Sequence, residues 1–263
     1  MLFDENRISS LFGLSNEKFI FDSVHHGFKF VILTYQRGGS TKGFPAAFRI
    51  NPREAVKAAD LPGLFDDPLK QIKLDVSLVK RLSPGSYSVM EFRSDVDVAI
   101  AKKLLKQPLI GESLEDSWNI EFASEFHMTN DSHYFKRAAG SGRIPLYEGK
   151  MIWQFEHGYA EPRYWVDQED AFEKLAKEVV IPEYSVPRLA IRAVSGSVNE
   201  RTLISTIVPP AVFGNSLIAV GGLTAAEALV VQCFLGSFPC DWLLRLKVSQ
   251  NINMFYLKQL AVP

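Results

Sequence analysis

Apolar positions along the chain fall in short runs, and their period changes from place to place. Residues 28–35, FKFVILTY, form an unbroken aromatic and β-branched run ended by Gly38-Gly39, which predicts a buried strand. Residues 44–50, FPAAFRI, predict a second strand, paired with the first across the Gly-Gly turn. Over 93–107 the period becomes helical: Val96, Ala99, Ile100, Leu104 and Leu105 share one face. Asp95 is placed to cap that helix, Lys102, Lys103 and Lys106 suit its C-terminal end, and Pro108 stops it. Residues 118–128 alternate, with Trp118, Ile120, Phe122 and Phe126 on one side of an expected strand.

Small and Gly-rich residues at 138–145, AAGSGRIP, mark a change of direction and the best candidate for a domain boundary. Short strands are expected at 144–146, 150–155 and 188–194. A helix at 169–178 separates the last two, supported by the i,i+4 pairs Asp170–Lys174 and Glu173–Lys177. Thr224-x-x-Glu227 is a capping box ahead of an apolar run that Pro239 breaks or kinks, with a further turn or two of helix from Asp241 to Val248. The stretch from Ala225 to Leu246 has little polar surface and is expected to be core. The sum is a mixed α+β chain of one large or two modest domains.

Composition narrows the functional classes. With 47% hydrophobic residues spread along the whole length, the chain has the material for a sizeable core and is not a disordered segment. No run of 18 apolar residues is present, so no membrane span is expected. Cys233 and Cys240 lie in an apolar stretch without metal-ligand spacing, which predicts buried, reduced thiols in a cytoplasmic protein. The formal charge is −1, and a cut at Gly140 leaves both parts balanced, with 18 basic and 18 acidic residues before it and 11 and 12 after it. Bulk charge therefore gives no support for nucleic-acid binding; a basic face would have to be made by folding.

Chemical motifs are sparse. His127 and His133 flank Met-Thr-Asn-Asp-Ser but lack third and fourth ligands at supporting spacing, so a polar loop is expected and no metal. Tyr147-Glu148-Gly149-Lys150 contains the Glu-x-Lys half of many nuclease sites; its acidic companions would have to come from Asp95, Asp116 or Asp131. There is no dinucleotide or phosphate loop and no nucleophile elbow. Gly38-Gly39 and Gly140-Ser141-Gly142 read as turns, and Ser195-Gly196-Ser197 as a loop.

Five segments, in order, resemble the C-terminal half of the TaqI-like and related type IIG adenine methyltransferases. They are Glu5-Asn6-Arg7 with IFDSVHHGFKFVILTYQRGG at 20–39, then MEFRSDVDVAIAKKLLKQP at 90–108, WNIEFASEFHMTNDSHYF at 118–135, IPLYEGKMIWQFEHGYA at 144–160 and RLAIRAVSGSVNERTLISTIVPP at 188–210. The tail at 229–263 resembles the family's C-terminal helical segment, with Ala261 where the family's closing motif has its first Pro.

The resemblance implies an α+β fold in two parts. Residues 1–140 would be a mixed-sheet remnant of a methyltransferase domain plus a connecting segment, and 141–263 a DNA target-recognition domain with C-terminal helices. The family's cofactor loop and its Asn-Pro-Pro-Tyr motif do not occur; Asn51-Pro52-Arg53 lacks the aromatic that stacks on a flipped base. The chain would thus be a fragment, a split gene product or a partner subunit. It would bind duplex DNA without a cofactor of its own, while S-adenosylmethionine belongs to the parent enzyme. DNA contacts are expected from Lys150, Gln154, His157, Arg163, Arg192, Asn199 and Arg201, with the last three presented outward from a strand and the turn after it. The family often has His-Arg-Phe-Ala in place of His157-Gly158-Tyr159-Ala160 and a cation near Gly196; losing both implies a different target or weaker phosphate contact. Two other classes stand beside this one: a Mg-dependent nuclease built on Glu148 and Lys150, and an interaction subunit that reads no DNA. An exposed apolar patch at Phe28, Phe30 and Ile32 would favour the second.

Overall fold

The computed structural model describes residues 2–16, 21–25, 28–50, 63, 65–112, 118–178, 184–196, 199–248 and 250–263. Among the described residues the fold is α+β, with three small sheets and short helices in two compact units, Met1–Lys106 and Gln107–Pro263. Asn51, Pro52, Arg53, Asp116 and Ser197, which the sequence singles out, lie outside the described residues.

In the first unit the longest strand is β1 (Asn6–Ser15), which buries Ile8, Phe12 and Leu14 in alternation with more exposed residues. It lies between β2 (Lys29–Arg37), antiparallel to it, and β3 (Gly43–Ile50), parallel to it; β4 (Ile72–Asp75) pairs antiparallel with β3 on the far side. The expected hairpin between the strands at 28–35 and 44–50 is therefore not formed. Gly38 and Gly39 do turn the chain, both at positive φ, but residues 38–42 then cross the start of β1, bonding Gly38 N to Glu5 O and Thr41 N to Phe3 O. The expected burial of 28–35 is overturned as well. β2 is the outer strand, and Phe28 and Val31 are 63% and 65% exposed, with Ile32 and Tyr35 also open.

A one-turn helix, α1 (Leu2–Glu5), precedes β1, and β4 runs straight into α2 (Val76–Leu82), which buries Val76, Leu78, Val79 and Leu82. Next comes α3 (Asp95–Leu104). Its cap is Ser94, in a reciprocal capping box with Asp97, and not Asp95. Its inward face is Val98, Ala101 and Leu105, so the expected face is rotated and Val96 and Ile100 stand in solvent. Tertiary contact selects among faces when several are apolar enough to be buried.

Among its described residues the second unit holds two sheets. β5 (Glu121–Ala123), β8 (Arg188–Arg192), β9 (Ser205–Val208) and β11 (Leu217–Gly221) form an antiparallel sheet in the order β5-β11-β8-β9. β6 (Arg143–Tyr147), β7 (Tyr164–Asp167) and β10 (Val212–Phe213) form a mixed one in the order β10-β6-β7. Residues 107–140 are built into this unit. β5 supplies an edge strand, Phe126 bridges to Gly214, and Ile110 N donates to Leu260 O near the C-terminus. The compact units therefore divide after Lys106, and the Gly-rich segment at 138–145 is an internal turn, with Gly142 at positive φ, leading into β6.

Several expected elements form. α4 (Gln168–Glu178) carries the Glu173–Lys177 pair at 2.6 Å, while the buried Lys174 reaches Asp131 at 3.2 Å. α5 (Ala225–Leu235) has the Thr224–Glu227 capping box. Pro239 opens α6 (Phe238–Arg245) within its first turn, behind the N-cap Ser237, so it starts a helix as well as ending one. The expectation that 225–246 is all core fails at Leu229, Val230 and Phe238, which are exposed. No strand forms at 150–155. Glu148 leads into a 3-10 turn at Gly149–Met151, then a tight reversal closed by a Trp153–Glu156 bridge, with Phe155 at positive φ. A single short helix, α7 (Met254–Leu257), precedes the tail.

Candidate nucleic-acid interface

The segment after β6 forms an exposed loop over a buried floor in the second unit. Met151 and Ile152 are fully buried in the core formed with Ala190, Ile204, Phe213 and Leu217. They anchor a loop whose next residues point away from that core: Phe155, Glu156, His157, Gly158 and Tyr159 are all exposed. The loop is tied at three places, by Phe155 N to Ser205 O, by Tyr159 N to Met151 O, and by the stacking of Tyr159 on Trp153 at 5.7 Å. An exposed loop fixed to a buried floor presents its side chains with little loss of freedom on binding.

The expected DNA-contact residues divide into two groups. Lys150 is exposed and pairs with Glu148 at 3.2 Å. The aliphatic part of Arg192 packs on Gly149, where a Cβ would stand 3.3 Å from Arg192 Cγ, so Lys150 and Arg192 share one neighbourhood. His157 and Asn199 are exposed, and Arg163 is exposed with its guanidinium 4.8 Å from the Tyr164 ring. Gln154 faces inward: its Oε1 accepts from Ser205 N at 3.3 Å, and its Nε2 atom is buried.

Arg201 corrects the expectation of an outward guanidinium. Its side chain is largely buried, donates to Gly236 O at 2.6 Å, lies 3.7 Å from Asp241 and rests over the Phe238 ring at 5.0 Å. Asp241 is the centre of that arrangement. Its Oδ1 accepts from Thr202 N and Leu203 N at 2.8 and 2.7 Å, and its Oδ2 accepts from Arg245 at 2.7 Å. Arg201 and Asp241 are forty positions apart in the sequence, and no local pattern pairs them.

Of the nuclease candidates, Asp116 lies outside the described residues. Among the described residues no group of three or more His, Cys, Asp or Glu side chains converges. Asp131 is engaged by Lys174 and by His127 N, while His127 Nδ1 accepts from Thr129 N and Asn130 N and His133 lies against Tyr134. The Asn119 carbonyl lies against Gly222 where a Cβ would stand, and Glu227 is held in the helix cap. Cys240 is buried, and burial pushes its thiol above the usual range, whereas Cys233 is exposed, contrary to expectation. Among the described residues no single helix is long and apolar enough to cross a membrane; α5 and α6 pass that test together but bend by 64° between them.

The division after Lys106 also redistributes charge. The first unit carries sixteen Lys and Arg against twelve Asp and Glu, a formal +4, and the second carries thirteen against eighteen, a formal −5. The balance found on cutting at Gly140 hides this asymmetry.

No protein-family model matches the chain, and no curated protein matches it either. Among solved structures the chain is similar to one described as the type IIG restriction endonuclease BpuSI, at 10% sequence identity and a TM-score of 0.41. The match covers 97% of this chain and 36% of that one, so the chain spans about a third of that protein's length.

Proposed function

We propose that the chain is the DNA target-recognition portion of a restriction–modification-type N6-adenine DNA methyltransferase, acting in the cytoplasm on duplex DNA. The observation that carries this reading is the tethered, outward loop at 149–163. It falls in a segment that resembles the family's recognition domain, and it displays Lys150, His157 and Arg163, with Arg192 beside it. Such a surface contacts phosphates through its cations and base edges through its polar groups. Base flipping and methyl transfer, with S-adenosylmethionine, belong to a catalytic domain elsewhere.

A second reading has one observation in its favour. The exposed apolar residues in and just before β2, Phe28, Val31, Ile32 and Tyr35, are what an interaction subunit of a methyltransferase complex would show, while the expected Phe30 is partly buried against Phe12 and Leu14. The two readings separate on DNA. Titration of a labelled duplex at several salt concentrations is expected to show weak, salt-dependent binding. Lys150→Gln with Arg192→Gln is expected to weaken it and to lower the log–log salt slope by about two. A chain that binds no duplex even at low salt is an interaction subunit, and the recognition reading falls.

A further inference from the structure

The first unit carries a cleft that the sequence does not single out. It has a volume of about 460 Å³ and is lined by Arg7, Ile8, Ser40, Thr41, Lys42, Gly43, Lys73 and Asp75. Three cations from three separate segments meet there: Arg7 from β1, Lys42 from the turn before β3, and Lys73 from β4. All three are exposed, and none is ion-paired among the described residues. The one carboxylate in the lining, Asp75, is taken by Lys102. Three exposed cations beside one carboxylate that a fourth cation already pairs leave the lining with a net positive charge, which favours a bound anion.

The site is also shaped. A Cβ at Gly39 would stand 2.6 Å from Arg7 Nε and 3.1 Å from its Cγ, so the arginine lies flat across the glycine. Gly39 sits at φ +86°, a conformation that disfavours any other residue. Lys73 lies alongside Gly43 in the same manner, its Cε 3.7 Å from the position of a Cβ. The Thr41 hydroxyl is used internally, accepting from Ile8 N and donating to Asn6 O, and so fixes the floor without competing for ligand. The cleft belongs to the unit with a formal +4 charge, while the expected recognition residues belong to the unit with −5.

We propose that this cleft binds phosphate groups of the DNA backbone, so that the first unit supplies a further electrostatic contact to the duplex. The inference rests on the DNA-recognition reading above and adds a second, sequence-independent site to it.

Titration of the whole chain with a labelled duplex tests it, using Lys42→Gln with Lys73→Gln, and Lys103→Gln with Lys106→Gln as a charge-matched control at the C-terminal end of α3. The cleft variant is expected to bind ~10-fold more weakly near 0.1 M salt and to lose about two from the log–log salt slope. The control is expected to change both by less than half as much, and Arg7→Gln to follow the cleft variant. Equal behaviour of cleft variant and control overturns the proposal. A parent chain that binds no duplex overturns the DNA reading instead. In that event pyrophosphate decides about the cleft: a rise in melting temperature that the cleft variant loses keeps it as an anion site, and no rise removes it.

Discussion

Lys247 shows how one side chain sets a pH dependence. It follows α6, and burial pulls its ammonium down from the usual 10.5 to about 7, while its Nζ donates to Gln259 Oε1 at 2.8 Å. The unfolded chain keeps the ordinary value. Between about 7 and 10.5 the unfolded state therefore holds a proton that the folded state has lost, and stability rises with pH across that window. Below it both states are charged and the full burial penalty stands; above it neither is charged and the penalty vanishes. Lys247→Met removes the titration. The gap between variant and parent in urea midpoint is expected to favour the variant most at pH 6 and to shrink towards pH 10. Parallel curves would show that Lys247 keeps an ordinary proton affinity in the fold.

Among the elements, α6 meets the segment after β8 through Asp241, beside Arg245, which donates to Glu200 O, and Phe238, whose ring lies under Arg201. Asp241, in the first turn of α6, receives two backbone N–H groups from 202–203 and the guanidinium of Arg245. Asp241→Asn keeps an acceptor for the backbone but turns an amide N–H₂ towards a cation. A loss of about 2 kcal/mol in urea unfolding is expected, within the range for an unsatisfied buried group. A loss below about 0.5 kcal/mol would mean that water replaces the carboxylate at this site. Elements with local signals were legible: the Thr224–Glu227 box, the 169–178 helix and the strands at 144–146 and 188–194 all form. What failed depended on partners distant in sequence. Residues 28–35 carry the apolar run of a central strand yet lie at a sheet edge, because β1 intervenes before β3. Arg201 reads as an exposed turn cation until Asp241, on another element, claims it. The candidate cleft was hidden for the same reason, since Arg7, Lys42 and Lys73 are brought together only by the β1–β3–β4 pairing.

For the whole molecule, the place where the chain divides can be tested by cutting it. Residues 107–140 look like a connector in the sequence, but they complete the second unit. Glu125 has a fully buried side chain; it pairs with Arg188, and its Oε2 accepts from Phe213 N at 2.8 Å. Arg188 in turn donates to Ala211 O at 2.8 Å and lies over the Phe213 ring, and Phe126 beside Glu125 is fully buried. Removing Glu125 would leave the Arg188 charge buried and unpaired, a change that costs about 3–5 kcal/mol by itself. Losing Phe126 from a packed core adds about 3–5 kcal/mol more. Together these match or exceed about half of a typical domain's net stability. A chain of residues 107–263 is therefore expected to fold alone, with one cooperative urea transition. A chain of residues 141–263, cut at the Gly-rich turn, is expected to show no such transition and to bind a hydrophobic dye. Glu125→Gln in the longer chain separates the two contributions, since it keeps Phe126 and removes only the counter-charge; it is expected to remain cooperative with a lowered midpoint. Cooperative unfolding of 141–263 at the stability of 107–263 would show that the Glu125–Arg188 pair and Phe126 contribute little, and that the fold of the second unit is set by residues 141–263.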